Sequence, residues 1–116
     1  MKTMFELSVY EIVGSSLCVA ASDGQKVYER LKAGLNEDKS VSLSFRNVCA
    51  LTSAFLNTAI GQLYGEFTEE KVRTLLALEE IDADDRELVR RVVETAKLYF
   101  KDKNYVNRVI DEERGV

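Results

Sequence analysis

Residues 40–64 read SVSLSFRNVCALTSAFLNTAIGQLY, and the first six alternate strictly between serine and a hydrophobe. A period of two marks a half-buried strand. Val41, Leu43 and Phe45 are therefore expected to face a core, with three serines on the other side. From about Ser53 to Phe67 the spacing becomes helical, and Phe55, Leu56, Ala59, Ile60, Leu63, Tyr64 and Phe67 form one broad apolar face. A helix this apolar must be largely buried, and a strand leading into it supplies the sheet, which makes the chain an α/β protein. Gly61 inside the helix costs about 1 kcal/mol relative to Ala. Its presence predicts a close neighbour, with the backbone of a sheet beneath the helix as the expected one.

Working outward, FELSVYEIV (residues 5–13) alternates with Phe5, Leu7 and Val9 on one face, as a strand does. GSS makes a turn and LCVAA (residues 17–21) is short and apolar, which predicts a second, well-buried strand in a hairpin with the first. SDGQ opens a helix in which Ser22 and Gln25 can form a reciprocal capping box. Val27, Tyr28, Leu31 and Leu35 form its apolar stripe. In FTEEKVRTLLALEEID (residues 67–82), Thr68 and two glutamates start a short helix, and a strand follows. Residues 82–103 form an amphipathic helix with Leu88, Val89, Val92, Val93, Ala96, Tyr99 and Phe100 on one face and Asp84 with Glu87 marking its start. Tyr105, Val106, Val109 and Ile110 continue the helical spacing. The expected order is β-β-α-β-α-β-α: a small α/β sandwich with a four-stranded mixed sheet and helices packed mainly on one face, as a polar serine face requires. It is not a doubly wound sheet.

At 116 residues the chain is expected to form one domain over residues 1–116. The net charge is −4 and the basic residues are dispersed, so no nucleic-acid partner is expected. The absence of histidine removes imidazole metal sites and His-based catalysis. Cys18 and Cys49 lack CxxC spacing and sit in or beside apolar segments, which favours buried thiols over a disulfide. SDGQK lacks the spacing of a phosphate-binding loop. Glu79, Glu80, Asp82, Asp84 and Asp85 match no EF-hand and read as a solvated connection. No cofactor is expected. No apolar run reaches the length of a membrane span and the N-terminus lacks a signal-peptide pattern, so a cytoplasmic protein with no membrane partner is expected.

The run GQKVYERL…VSLSFRNVCALTSAFLNTAIGQLYGEF resembles the bacterial STAS-like domain of unknown function, and more remotely the STAS anti-sigma factor antagonists. Four features carry the likeness: a Gly-led helix, a strand ending in Phe45, a loop with Val48, and a Thr-Ser-x-Phe entry to an apolar helix. The resemblance spans roughly residues 14 to 82. It implies a STAS-like sandwich and a role in protein–protein switching. In STAS antagonists a serine at the start of the second helix is phosphorylated by a GHKL-type ATPase kinase. Here that serine corresponds to Ser53 or is replaced by Ala54, and Thr52 stands where relatives have an acidic residue.

Two readings of Thr52 and Ser53 remain open on the residues. They can cap the helix, or they can form a partner-binding or phosphorylation site with Arg46, Asn47 and Leu56 around the same mouth. The expected function is a non-enzymatic regulatory module that docks a protein partner, a GHKL-type ATPase kinase or an anti-sigma-like factor, through this loop and helix start. The alternative is a small nucleotide- or anion-binding enzyme using the same helix N-terminus. A homodimer through the last helix is a further alternative.

Overall fold

The computed structural model describes residues 4–114, and the side chains described are those of residues 5–101. The chain begins with β1 (Met4–Ser8), which stops at Ser8 because the Ser8 hydroxyl accepts the Glu11 N–H and caps a short helix, α1 (Val9–Val13). Gly14 ends α1 with a left-handed φ of 79°, a conformation open to glycine at little steric cost. β2 (Leu17–Cys18) leads into α2 (Ala21–Asn36), and β3 (Ser40–Ser44) follows. β4 (Ala50–Leu51) precedes a helical stretch made of α3 (Ser53–Leu56), a π-helical turn (Asn57–Gly61) and α4 (Leu63–Glu66). α5 (Glu69–Leu75), β5 (Leu76–Glu79) and the long α6 (Ala83–Arg114) complete the chain.

Two parallel sheets result. The main one has the order β1-β3-β5, with Leu7 paired to Leu43 and Leu43 to Leu78. The second is a ribbon of β2 and β4, pairing Leu17 with Ala50 and Cys18 with Leu51. This corrects the expected four-stranded mixed sheet and its opening hairpin. The α1 helix intervenes after β1, and β2 leaves the main sheet to pair with a segment more than thirty residues on. Parallel connections need a crossover, and α2 supplies it between β1 and β3.

Because the strand order runs one way and such crossovers are right-handed, the crossovers cover one face. On that face Phe5 and Val41 pack against Gly34 of α2, and Leu76 and Leu78 share a crevice with Val89 and Val93 of α6. The core is built from Val27, Leu31, Leu35, Val41, Leu43, Phe45, Phe55, Leu56, Ile60 and Leu63, all buried as the periodicities predict. The opposite face carries Glu6 and Ser8, Ser42 and Ser44, and Ala77 and Glu79 in paired register.

Three local expectations are corrected. α2 starts at Ala21 with no side-chain cap, so Ser22 lies inside the first turn and forms no capping box. Gly61 sits within the π turn against Ala96 and Val92 side chains at ordinary contact distance, with no sheet backbone above it. The glycine that admits a crossing backbone is Gly24, where a Cβ would lie 2.4 Å from the Phe55 carbonyl oxygen. The last helix is capped by Asp82, whose Oδ1 accepts the Asp85 N–H at 2.8 Å, and not by Asp84. Its expected continuation at Tyr105, Val106, Val109 and Ile110 falls within the backbone of α6, and those side chains lie outside the described residues.

Candidate functional site

Two adjoining surfaces gather the exposed polar chemistry. The first is the mouth of α3. Thr52 has extended backbone and its Oγ1 accepts the Phe55 N–H at 3.2 Å, the capping geometry that satisfies one free donor of a helix start. The same hydroxyl donates to the Val19 carbonyl at 2.7 Å, so one side chain caps α3 and pins the strand before α2 against it. Ser53 follows in the first turn, exposed, with Ala54 exposed beside it. Phe55 turns inward. Thr52 is thus the cap, and Ser53 is a surface hydroxyl on the first turn.

The β2–β4 ribbon extends this surface. Cys18 points into the core while its neighbours Leu17 and Val19 point out, 55% and 43% exposed. This corrects the expectation of a well-buried second strand: only the middle residue of the three is inside. Burial, followed by the charge of Asp23, pushes the Cys18 thiol above its ordinary pKa. Cys49 is exposed, which corrects its expected burial, and both thiols are free. Leu56, predicted on the docking surface, is 0% exposed and belongs to the core. Leu56 turns inward with Phe55, where α3 meets α2 and α6, and no partner reaches it there.

The second surface is a cleft of about 710 Å³ over the open sheet face, lined along the carboxyl ends of β1, β3 and β5 by Glu6, Ser8, Ser42, Ser44 and Glu79, with Tyr10, Glu11, Arg46, Asn47 and Glu80 around them. Arg46 and Asn47 therefore lie where the sequence put them in the loop after β3, but they line this cleft and Thr52 and Ser53 do not. Ser44 organises the rim: its hydroxyl donates to Glu80 at 2.9 Å and accepts the Arg46 N–H at 3.2 Å. Asn47 and Glu80 both have left-handed φ, 68° and 51°, so two of the cleft's loops hold conformations uncommon outside glycine. Sequence reasoning missed the cleft as a unit. The serine alternation announced the open face, but the pairing that brings Glu6 and Glu79 beside Ser42 and Ser44 is long-range.

The fold and its two surfaces define a class: a small α/β domain with a parallel sheet covered on one face and a capped apolar helix opening onto solvent. Comparison with family models sharpens this. The STAS-like domain of unknown function matches residues 23–86, more than half of the chain, from the first turn of α2 into the first turn of α6. The chain belongs to this family. No curated protein and no solved structure matched it. Among the described residues no helix is long and apolar enough to cross a membrane.

Proposed function

We propose that this chain is a non-enzymatic regulatory module that docks a protein partner through the loop before α3 and its first turn. The observation that carries this reading is the juxtaposition at that mouth. Exposed Ser53 and Ala54 stand beside a ribbon that presents Leu17 and Val19 to solvent, and the Thr52 hydroxyl ties the two together. Apolar side chains projecting from a short ribbon with open edges suit a protein partner better than a small solute. A phosphate on Ser53 would sit at a helix start, where the dipole favours negative charge. It would place that charge within the apolar contact and weaken docking. The resemblance to STAS antagonists makes a GHKL-type ATPase kinase or an anti-sigma-like factor the partner class, in a cytoplasmic bacterial signalling system.

The test compares affinity capture from the source lysate by the parent, Ser53→Glu and Leu17→Asp proteins. Both substitutions are at exposed positions, so they leave the core intact. A partner held by the parent and lost from both variants is the expected result. The same partner retained by both would remove this surface from consideration. Saturable thermal stabilisation by a nucleotide or sugar phosphate would instead favour a small nucleotide- or anion-binding enzyme.

A further inference from the structure

We infer that the chain forms a homodimer through the C-terminal half of α6, with two copies of the helix lying antiparallel about Asn104. α6 has 32 residues. At 1.5 Å per residue that is about 48 Å of helix, close to the 55 Å long dimension of the molecule. The helix packs on the run from α3 to α4. Val92 and Ala96 make that contact at Gly61, and the Phe100 ring lies against Gly65.

Beyond Ala96 the same helix turns large apolar side chains to solvent. Leu98 and Tyr99 are 61% and 57% exposed, more than any other large hydrophobe among the described residues. Tyr99 borders a groove of about 330 Å³ between α6 and the π turn, with the small residues Gly61 and Ala96 in its lining. Counting on from Leu98 and Tyr99 by three, four and seven reaches Asp102, Tyr105, Val106 and Val109, with Ile110 next. The backbone of α6 stays helical through all of these positions. A mainly apolar stripe therefore begins at two exposed side chains and continues in the register of the helix for about three more turns. Such a stripe is stable in water when something covers it.

Charge selects a second copy of α6 as the cover and sets its direction. Lys97, Lys101 and Lys103 fall at the start of the stripe, and Asp111, Glu112 and Glu113 at its end. A partner of one sign would complement one of these ends, whereas a reversed copy complements both. Parallel pairing would set the acidic end against itself and Asp102 against Asp102, which like charges disfavour. Antiparallel pairing about Asn104 puts Leu98 opposite Ile110 of the second copy, Tyr99 opposite Val109, Lys97 opposite Asp111 and Glu94 opposite Arg114. Each match occurs twice, as a two-fold interface requires. Asp102 then falls opposite Val106, a polar position of the kind that lowers pairing stability and fixes register.

The test is sedimentation equilibrium of the full chain over about 1–200 μM, a range that spans the dissociation of a micromolar dimer. The expected result is a reversible dimer. Leu98→Lys and Ile110→Lys, made singly, should each raise the dimer Kd by about a hundredfold, since each removes two apolar contacts per dimer. Leu98 is exposed, so the fold survives its replacement, and an unchanged circular dichroism spectrum checks this. The Leu98→Lys/Ile110→Glu double variant should return Kd to within about tenfold of the parent, because the antiparallel register brings the new charges together as pairs. A parallel dimer would gain nothing from that combination. A parent monomeric throughout the range would overturn the proposal, and binding of that monomer to phospholipid vesicles would assign the stripe to a lipid surface instead. A dimer insensitive to both single substitutions, or one not recovered in the double variant, would overturn it equally.

Discussion

Replacing Gly24 by Ala tests the central packing contact of the fold. At that point α2 crosses the junction between α3 and the π turn. An added Cβ would lie 2.4 Å from the Phe55 carbonyl oxygen, 3.1 Å from Thr58 Cβ and 3.2 Å from Ala59 N. Two of these three atoms are backbone, so relief requires the helices to part. In an exposed helix the same change would gain about 1 kcal/mol of helix propensity. Overpacking against a rigid neighbour costs about 1–3 kcal/mol, and a contact this short belongs at the upper end. The difference is a net loss of about 2 kcal/mol, which lowers the urea midpoint by about 1 M at the usual slope for a chain of this size. Gly65→Ala is the control: its Cβ also meets an atom at 2.4 Å, but that atom is Cε1 of Phe100, a half-buried ring that can swing aside. Its expected change is within about 1 kcal/mol of the parent. Equilibrium urea unfolding reads both. Gly24→Ala as stable as the parent, or Gly65→Ala the larger loss, would refute this account of how α2 meets the central helix.

Thr52→Val removes both the cap on Phe55 and the donation to Val19, and should cost about 1–2 kcal/mol in the same unfolding experiment. Leu56→Ala should cost about 2–5 kcal/mol as a core truncation, where a docking role alone would leave stability unchanged. Iodoacetamide should label Cys49 in the native protein and spare Cys18, which is buried with its thiol pKa raised; mass spectrometry reads the order, and prompt labelling of Cys18 would contradict its placement. Glu87, held by hydrogen bonds from Arg90, should titrate at about 2 by NMR against an ordinary 4.5, and Arg90→Gln should move it back up. Since this folded-state pKa is depressed, its stabilising effect is present above pH 4.5 and is lost as pH falls toward 2.

What the sequence disclosed follows the range of the interactions that decide each element. β3, the apolar stripe of α2, the α5-to-β5 handover and most of the face of α6 are set by local period and lie where the spacing predicts, with Tyr99, 57% exposed, the exception on α6. The end of β1 was also locally encoded. Ser8-Val9-Tyr10-Glu11 has the S-x-x-E spacing of a helix start, but the apolar alternation through Val9 masks it. The partners of β2 are another matter: two residues of strand carry no register, and their parallel pairing with Ala50 and Leu51 spans more than thirty residues of chain. At the candidate site, Thr52 and Ser53 were legible because capping is local. The exposure of Leu17 and Val19 was not, because it depends on which side of the ribbon meets the rest of the fold; the burial of Leu56 followed from the helical spacing, and its place on a docking surface conflicted with that spacing.

The same topology explains why the two surfaces adjoin without merging. A strand order of β1-β3-β5 with right-handed crossovers places α2 and the later helices on one face, so the serine face of β3 lies on the other, with Ser42 buried and a cleft open at the carboxyl ends of the strands. The chain leaving β3 must climb from that open face to reach the helical side. It does so through Arg46 and the left-handed Asn47, then β4, arriving at Thr52. Residues 46–52 therefore belong to both surfaces: their first two side chains line the cleft, and their last caps α3 beside exposed Ser53. A group bound at Arg46 would touch the segment whose far end is the proposed docking surface. Any coupling between cleft and docking surface has its shortest covalent path through these seven residues, with the Ser44 hydroxyl holding one end and Thr52 the other.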